Sequence, residues 1–125
     1  MKAIRTAKAP NAVGPYSQAI VANGFVYCSG QIGLVPKTGV LAAGIKKQTE
    51  QVLRNVRAIL KEAGAGFDSV VSVNVYLRDM DDFKEVNEVY AKTFSNEPKP
   101  ARVTVGVSAL PKDALIEISC VAYVS

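Results

Sequence analysis

The chain has 125 residues, of which 49% are hydrophobic and 21% are charged, and its formal net charge is +4. This length and balance are typical of a single soluble domain spanning residues 1–125, and they exclude two domains, a disordered chain and a fibrous protein. Because the chain has no histidine, a Ser-His-Asp triad, a Cys-His pair and any metal site with an imidazole ligand are also excluded.

The first predicted element is a β-hairpin. Residues 19–22 and 25–29 flank Asn23 and Gly24, a dipeptide that tolerates the positive φ angles of a type I′ turn. Residues 44–64 then place apolar side chains at steps of three and four, with charged side chains between them. This spacing predicts an amphipathic helix that ends at Gly64.

A strand and a second helix are predicted next. Alternate residues from Val71 to Leu77 are apolar, which indicates a strand with one buried face. Acidic residues at 79–82 can cap a helix that follows, and Pro98 and Pro100 prevent its continuation. The inward stripe of this helix is predicted to consist of Phe83, Val86, Tyr90 and Phe94.

The last two predicted strands cover residues 102–108 and 115–124, joined by a loop that contains Lys112. The resulting order of elements predicts an α+β fold, in which two helices pack on one face of a mixed five-stranded sheet. Two helices cannot cover both faces of such a sheet. We therefore expect the bare face to be buried against other copies of the chain.

The two cysteines, Cys28 and Cys120, lie in apolar runs and form no CxxC motif. This placement favours buried, reduced thiols that act as small hydrophobic side chains. A disulfide or a reactive thiol is the alternative.

A candidate anion site lies on the last two strands. Alternation places Arg102 and Thr104 on one strand face and three valines on the other, which we expect to face the core. If these strands pair as an antiparallel hairpin, Arg102 and Glu117 project from the same face. The two then form either an ion pair that fixes strand register or an oligomer contact, or a site where Arg102 binds a substrate carboxylate and Glu117 orders a water or moves a proton.

Four further positions, three polar residues and one glycine, are weaker candidates by themselves. Ser29 lies outside any GxSxG motif and has no histidine base, so Ser29 and Gly30 suit a backbone role at a strand end better than a nucleophilic one. Tyr16 and Asn87 have apolar neighbours in the sequence, and such residues more often have structural roles.

The chain resembles the RidA (YjgF) family of imine deaminases over about residues 8–124. The resemblance is carried by several separated blocks, of which the terminal one is the most specific. The first four are Gly14-Pro-Tyr-Ser-Gln-Ala19, Ser29-Gly-Gln-Ile32, Gln51-Val-Leu-Arg-Asn-Val56 and the segment from Phe83 to Tyr90. The terminal block runs from Pro100-Ala-Arg-Val-Thr-Val105 through Ala109-Leu-Pro-Lys-Asp113 to Ile116-Glu-Ile118.

This resemblance implies a chorismate-mutase-like fold, a homotrimer and clefts between neighbouring subunits. It also implies hydrolysis of reactive 2-imino acids, notably 2-iminobutanoate and 2-iminopropanoate, to 2-oxo acids and ammonia, without a cofactor or a metal. Such imines and their enamine tautomers arise when pyridoxal-phosphate dehydratases act on threonine and serine.

The resemblance also implies roles for individual residues. Arg102 would bind the substrate carboxylate and Glu117 would position the water, and the remaining pocket groups match Tyr16, Ser29, Gly30 and Asn87. Thr104 stands where the family often has a cysteine. That position is expected to contact the substrate through its backbone, so the change should be tolerated, although any mechanism that needs the thiol is put in doubt.

Two other functions stay open at this stage. An RNA-binding endoribonuclease that inhibits translation is supported by six basic residues that precede the first acid, Glu50. Against it, the chain has no interleaved aromatic and basic stretch and no histidine for acid-base catalysis, so nucleic acid is an improbable partner and a solvated basic face is favoured. The third function is a ligand-binding or chaperone-like trimer without turnover.

The sequence also bears on location. No apolar run approaches the roughly 20 residues that span a bilayer, and no secretory signal lies near Met1. We therefore expect a cytoplasmic protein without membrane partners. A mitochondrial pool is an alternative, although Pro10 and Pro15 interrupt the acid-poor segment that a transit peptide would need.

Overall fold

The computed structural model describes residues 1–124, which form six strands and two helices. In chain order the elements are β1 (Lys2–Ile4), β2 (Ala19–Ala22), β3 (Phe25–Ile32), α1 (Gly44–Glu62), β4 (Val70–Leu77), α2 (Phe83–Thr93), β5 (Ala101–Gly106) and β6 (Ile116–Tyr123). The predicted hairpin, helices and strands are therefore confirmed. The short strand β1 was not predicted, and it makes the sheet six-stranded instead of five-stranded. Neither helix is long and apolar enough to cross a membrane.

The strands are arranged in the order β1-β2-β3-β6-β4-β5, and only β4 and β5 are parallel. The expected hairpin between β5 and β6 is wrong, because β4 lies between them. Helix α2 carries the chain back along the sheet, so β5 enters beside β4 in the same direction. The connection at residues 107–115 then crosses β4, and β6 pairs antiparallel with both β3 and β4.

The core lies between the helices and one face of the sheet, which confirms the α+β arrangement. Helix α1 contributes a stripe of fully buried side chains, and β4 and β6 contribute alternate residues to the same layer. The largest of these buried side chains are Val52, Val56, Ile59, Leu60, Val73, Val75, Leu77, Ile116 and Ile118. This layer positions the strands that carry the candidate site.

The other face of the sheet, which we call the bare face, is covered by neither helix. It carries large apolar side chains with substantial exposure: Phe25, Tyr27, Val103, Val105 and Tyr123. Val103 is 55% exposed and Val105 is 40% exposed, so the expectation that the β5 valines face the core is wrong. Exposed apolar groups gathered on one sheet face are typical of a surface that is buried in an assembly.

A β-bulge shifts the alternation at the start of β4. The pairing with β6 changes register between Val70 and Ser72, so Val70 is buried and Val71 is 40% exposed. The prediction that Val71 faces the core is therefore wrong. The bulge adds a residue to one strand, which reverses the face of every residue that precedes it.

The end of α1 follows the predicted chemistry, whereas Asp82 at the start of α2 makes no side-chain capping bond and the acidic cap lies one turn earlier. Gly64 has φ of +82°, and the Ala65 N–H donates to the Leu60 carbonyl at 2.8 Å, which closes the last turn of α1. Before α2, the Asp79 carboxylate accepts from the Asp81 N–H at 2.9 Å and caps a short 3₁₀ turn at residues 80–82.

The two cysteines face each other across the sheet. Cys28 of β3 is paired in register with Cys120 of β6, and both thiols are buried and free. A hydrogen bond with Cys120 and then burial hold the pKa of the Cys28 thiol well above its ordinary value. The expectation of buried, reduced thiols is confirmed.

Candidate active site

Arg102 lies on β5, at the edge of the sheet, and extends toward α2. In register it pairs with Val73 of β4, whose side chain is fully buried under the helices, so Arg102 is on the helix face. Its Nη1 donates to Asn87 Oδ1 at 2.8 Å. Among residues 1–124, no carboxylate lies within salt-bridge distance of this guanidinium. The cation therefore retains N–H donors that an anionic ligand can use.

Glu117 lies on β6 and extends from the bare face. It is paired in register with Tyr76 of β4 and Ile32 of β3, which alternate with the core residues of their strands. Burial raises the pKa of the Glu117 carboxyl above its ordinary value. A carboxylate with a raised pKa is a stronger proton acceptor, which suits a general base.

Arg102 and Glu117 are therefore on opposite faces of the sheet, and the expectation that they share a face is wrong. That expectation required β5 and β6 to be neighbours, whereas β4 separates them. Within one copy the pair cannot form a register-fixing salt bridge, and an ion pair at an oligomer contact stays the alternative interpretation. Within one copy the site consists of two separate parts.

The part around Glu117 contains a cavity of about 290 Å³. Its lining includes Tyr16, Gly30, Lys112 and Glu117, so three of the expected pocket residues meet here. Tyr16 is 53% exposed. A cavity of this size is sufficient for a small organic acid.

Gly30 is essential to the shape of this cavity. An added Cβ atom would lie 2.8 Å from Glu117 Cδ and closer still to Oε2. The carboxylate of Glu117 therefore packs directly over the Gly30 backbone, and it can do so only because residue 30 has no side chain.

Hydrogen bonds attach the loop at residues 14–18 to strand β3 and to the segment at residues 6–10. The Ser29 hydroxyl donates to the Ser17 carbonyl at 2.6 Å, which indicates a structural use of this hydroxyl. Gln18 is buried, accepts from the Thr6 N–H at 2.8 Å and donates to the Pro10 carbonyl at 2.8 Å. These bonds hold Tyr16 beside the cavity.

The part around Arg102 contains Asn87 and Thr104. Thr104 is two residues from Arg102 and shares its face, and its hydroxyl is buried without a partner among residues 1–124. This hydroxyl is therefore turned into the protein, and a backbone contact of Thr104 with a ligand stays a prediction.

Sequence reasoning missed two residues of this part. Phe83 and Tyr90 were assigned only to the core stripe of α2, yet both rings contact the Arg102 guanidinium, at 5.6 and 4.6 Å from Cζ to the ring centroids. Their spacing was the available signal. Residues four and seven positions after Phe83 lie on the same helix face, and these are Asn87 and Tyr90.

The last feature of the site is the absence of a metal-binding group from the part of the chain that the structure describes. Within residues 1–124, no three Cys, Asp or Glu side chains come together in a group that could hold a metal ion. The arrangement offers a cationic fork, a carboxylate in a cavity and backbone groups. Such a set can bind a small acid and transfer a proton.

Comparisons with known proteins show close similarity along nearly the whole chain. The family described as Endoribonuclease L-PSP matches residues 6–124. The chain is 53% identical over 120 residues to "Reactive Intermediate Deaminase A, chloroplastic" of Arabidopsis thaliana, which covers 95% of this chain and 64% of that protein.

Solved structures give the same result. The crystal structure of RidA from the Antarctic bacterium Psychrobacter sp. PAMC 21119 has a TM-score of 0.96 at 46% identity, covering 99% of this chain and 100% of that one. The structure of E. coli TdcF with bound serine has a TM-score of 0.95 at 38% identity and covers all of both chains.

Proposed function

Because this chain belongs to the Endoribonuclease L-PSP family, which includes the YjgF and RidA proteins, we propose that it is an imine deaminase. Family membership and the likeness to a Reactive Intermediate Deaminase support this class of activity. The substrates proposed are small 2-imino acids, notably 2-iminobutanoate and 2-iminopropanoate. The products are the 2-oxo acid and ammonia.

The observation that carries this proposal is the state of Arg102. Its guanidinium contacts Asn87 and two rings but no carboxylate of residues 1–124, so it remains available to a substrate acid. A guanidinium can bind a carboxylate with two parallel hydrogen bonds, which fixes the position of C2 as well as the charge. The bound serine in TdcF supports a site for small amino-acid-like ligands in this family.

The proposed reaction needs few groups. A water attacks C2 of the protonated imine, a C–O bond forms, the C=N π electrons move to nitrogen, and Glu117 accepts a proton from the water. Glu117 then returns that proton to the nitrogen of the carbinolamine. The C–N bond breaks and ammonia leaves, and as the C=O bond forms the hydroxyl proton passes to Glu117 and from there to ammonia, which departs as ammonium. Arg102 acts by orientation.

The two parts of the site lie on opposite faces of the sheet, on strands that β4 separates, so they cannot act together within one copy. We propose that Arg102 of one copy faces the Glu117 cavity of another, in a homotrimer with its clefts between subunits. The apolar side chains of the bare face support such an assembly, because burying them against another copy removes them from water.

The test of the activity couples the purified protein to a threonine dehydratase, which supplies 2-iminobutanoate. Since this imine also hydrolyses in water without an enzyme, the measured quantity is the rate of its disappearance above that background. The proposal predicts a rate proportional to protein concentration. Disappearance at the background rate, at every protein concentration, would contradict it.

Mixing two inactive variants tests whether each site is shared between copies. Arg102→Ala and Glu117→Gln subunits, unfolded and refolded together in equal amounts, are expected to recover about a quarter of wild-type activity. This follows because each shared site draws each residue from a different copy, and half of the copies supply each residue intact.

The controls for the mixing experiment are each variant refolded alone and wild type refolded alone. A subunit with both substitutions, mixed equally with wild type, should also give about a quarter of the activity when sites are shared, but about half when each site lies within one copy. No recovery in the first mixture, or sedimentation as a monomer only, would contradict a shared site.

Gly30→Ala is expected to lower kcat/KM by about 100-fold, because the added Cβ displaces the Glu117 carboxylate by about 1 Å. Folding should be little affected, since the φ of Gly30 is not in the left-handed region. Steady-state kinetics and a thermal melt measure both quantities. The matched control is Gly66→Ala, where extended backbone tolerates a Cβ and the nearest group is the exposed Asp68. Equal kinetics for the two variants would show that residue 30 does not support Glu117.

One observation favours a second function, RNA binding. Lys8, Arg54, Arg57 and Lys61 line a cavity of about 670 Å³ on the outer side of α1. None of the four forms a salt bridge with a carboxylate of residues 1–124. Phosphate contacts would make RNA affinity fall steeply as salt rises, so a salt titration distinguishes binding at this cavity from no binding. A trimer that binds a small acid without turnover is distinguished by the imine assay.

A further inference from the structure

The Arg102 guanidinium contacts two aromatic rings of α2. Its Cζ is 5.6 Å from the centroid of Phe83 and 4.6 Å from the centroid of Tyr90. Both distances are within the range of a cation–π contact, so the guanidinium contacts two rings that lie on the same face of the helix.

The third contact is made at the edge of the same guanidinium. Asn87, from the helical turn between the two rings, accepts a hydrogen bond from Nη1 at 2.8 Å. Phe83, Asn87 and Tyr90 occupy one face of α2, and all three contact the Arg102 guanidinium. The N–H groups that remain can bind a carboxylate.

We propose that Phe83 and Tyr90 are positioning residues that hold the Arg102 guanidinium in one orientation before a substrate carboxylate binds. This inference rests on the proposed function and explains how its anion-binding residue is prepared. A free arginine side chain loses much rotational freedom when it binds a ligand. Contacts with two rings restrict that freedom in advance, and the rings also attract the cation through their π faces.

For Tyr90, the ring performs this task and the hydroxyl does not. The hydroxyl is buried and has no hydrogen-bond partner among residues 1–124. Burial raises the pKa of the phenol, so it stays neutral and supplies no charge to Arg102. Tyr90→Phe keeps the ring and is the conservative variant, whereas Tyr90→Leu removes the ring.

The experiment uses Phe83→Leu as its main variant, because Phe83 is 36% exposed and a leucine there preserves both helix propensity and folding. The readouts are the Kd of 2-oxobutanoate, a product that carries the same carboxylate, together with kcat and KM. Phe83→Leu and Tyr90→Leu are expected to raise Kd and KM about 3- to 30-fold with kcat largely unchanged. Tyr90→Phe should stay within about twofold of wild type.

A double substitution tests whether the rings act through Arg102. When Arg102 is already alanine, adding Phe83→Leu should weaken 2-oxobutanoate binding no further, because the group that the ring positions is absent. An additional loss equal to that of Phe83→Leu alone would overturn the inference. So would wild-type Kd and KM in both leucine variants.

A measurement on the free protein separates this inference from the proposed activity. NMR relaxation of the Arg102 Nε–Hε group should report a rigid side chain in wild type and a mobile one in Phe83→Leu, whether or not an imine is hydrolysed. If wild type shows no turnover but Arg102 is rigid, only the activity fails. If wild type turns over and Arg102 is equally mobile in both proteins, only the positioning role fails.

Discussion

Arg102→Ala is expected to lower kcat/KM for 2-iminobutanoate by about 30- to 5,000-fold, which corresponds to the 2 to 5 kcal/mol typical of a lost, partly buried charge contact. No other cation of residues 1–124 is proposed to bind the substrate carboxylate. The variant also leaves Asn87 without its hydrogen-bond donor. Steady-state kinetics with the dehydratase-coupled assay provide the measurement.

Arg102→Lys is the matched variant for this prediction. It keeps the positive charge but loses the planar fork that binds a carboxylate at two points, so an intermediate loss is expected. Both variants should fold, because β5 is an edge strand and Arg102 contributes no apolar core side chain. Near wild-type kcat/KM in folded Arg102→Ala would rule out the role assigned to this residue.

Glu117→Gln is expected to lower kcat by about 10²- to 10⁴-fold, the range associated with loss of a general base. The amide has nearly the shape of the carboxylate and should pack over Gly30 in the same way, so substrate binding is expected to change little. A large fall in kcat with KM nearly constant would confirm that Glu117 acts on the reaction. If the substitution raised KM and left kcat unchanged, Glu117 would be assigned to substrate binding instead.

The pH profile gives an independent test of Glu117. Because burial raises the pKa of this carboxyl, the pH–activity profile should have a rising limb, and the midpoint of that limb should lie above the ordinary pKa range of glutamate. Glu117 must be deprotonated to accept a proton from water, so the limb has a rising sign. Glu117→Gln should lose this limb from whatever activity remains.

The same raised pKa has an opposite effect on stability. The folded protein holds the proton on the Glu117 carboxyl more tightly than the unfolded chain does. Protonated Glu117 therefore stabilises the fold below the ordinary glutamate pKa, and this stabilisation is lost as pH rises through the raised pKa. Relative to wild type, Glu117→Gln should therefore gain stability as pH rises through that window. Urea unfolding at a series of pH values tests this sign.

Local structure was largely predictable because each element carries its own periodicity. The apolar spacing of α1, the Gly64 stop and the alternation of β4 were sufficient to assign type and position. Features that depend on a neighbouring strand were not predictable in this way. The bulge that buries Val70 instead of Val71 exists only in the pairing with β6, and β1 is too short to show a period.

The residues of the candidate site stay a prediction, and its geometry was not predictable. Resemblance to a family assigned Arg102 and Glu117, and the structure gives each a suitable environment. Alternation along β5 could not say which face is buried, because Val103 and Thr104 are both β-branched and suit either side of an edge strand. The strand order determines which face of β5 is buried, and this order depends on where β6 enters the sheet.

The positions of the sulfur atoms also matter for how such a protein would tolerate its surroundings. Residue 104, two positions from Arg102, is a threonine and not a cysteine, and the two cysteines face each other inside the core. Peroxide therefore finds no accessible thiolate among the groups assigned to the reaction. The proposed chemistry would continue under oxidative stress that silences enzymes with an exposed cysteine nucleophile.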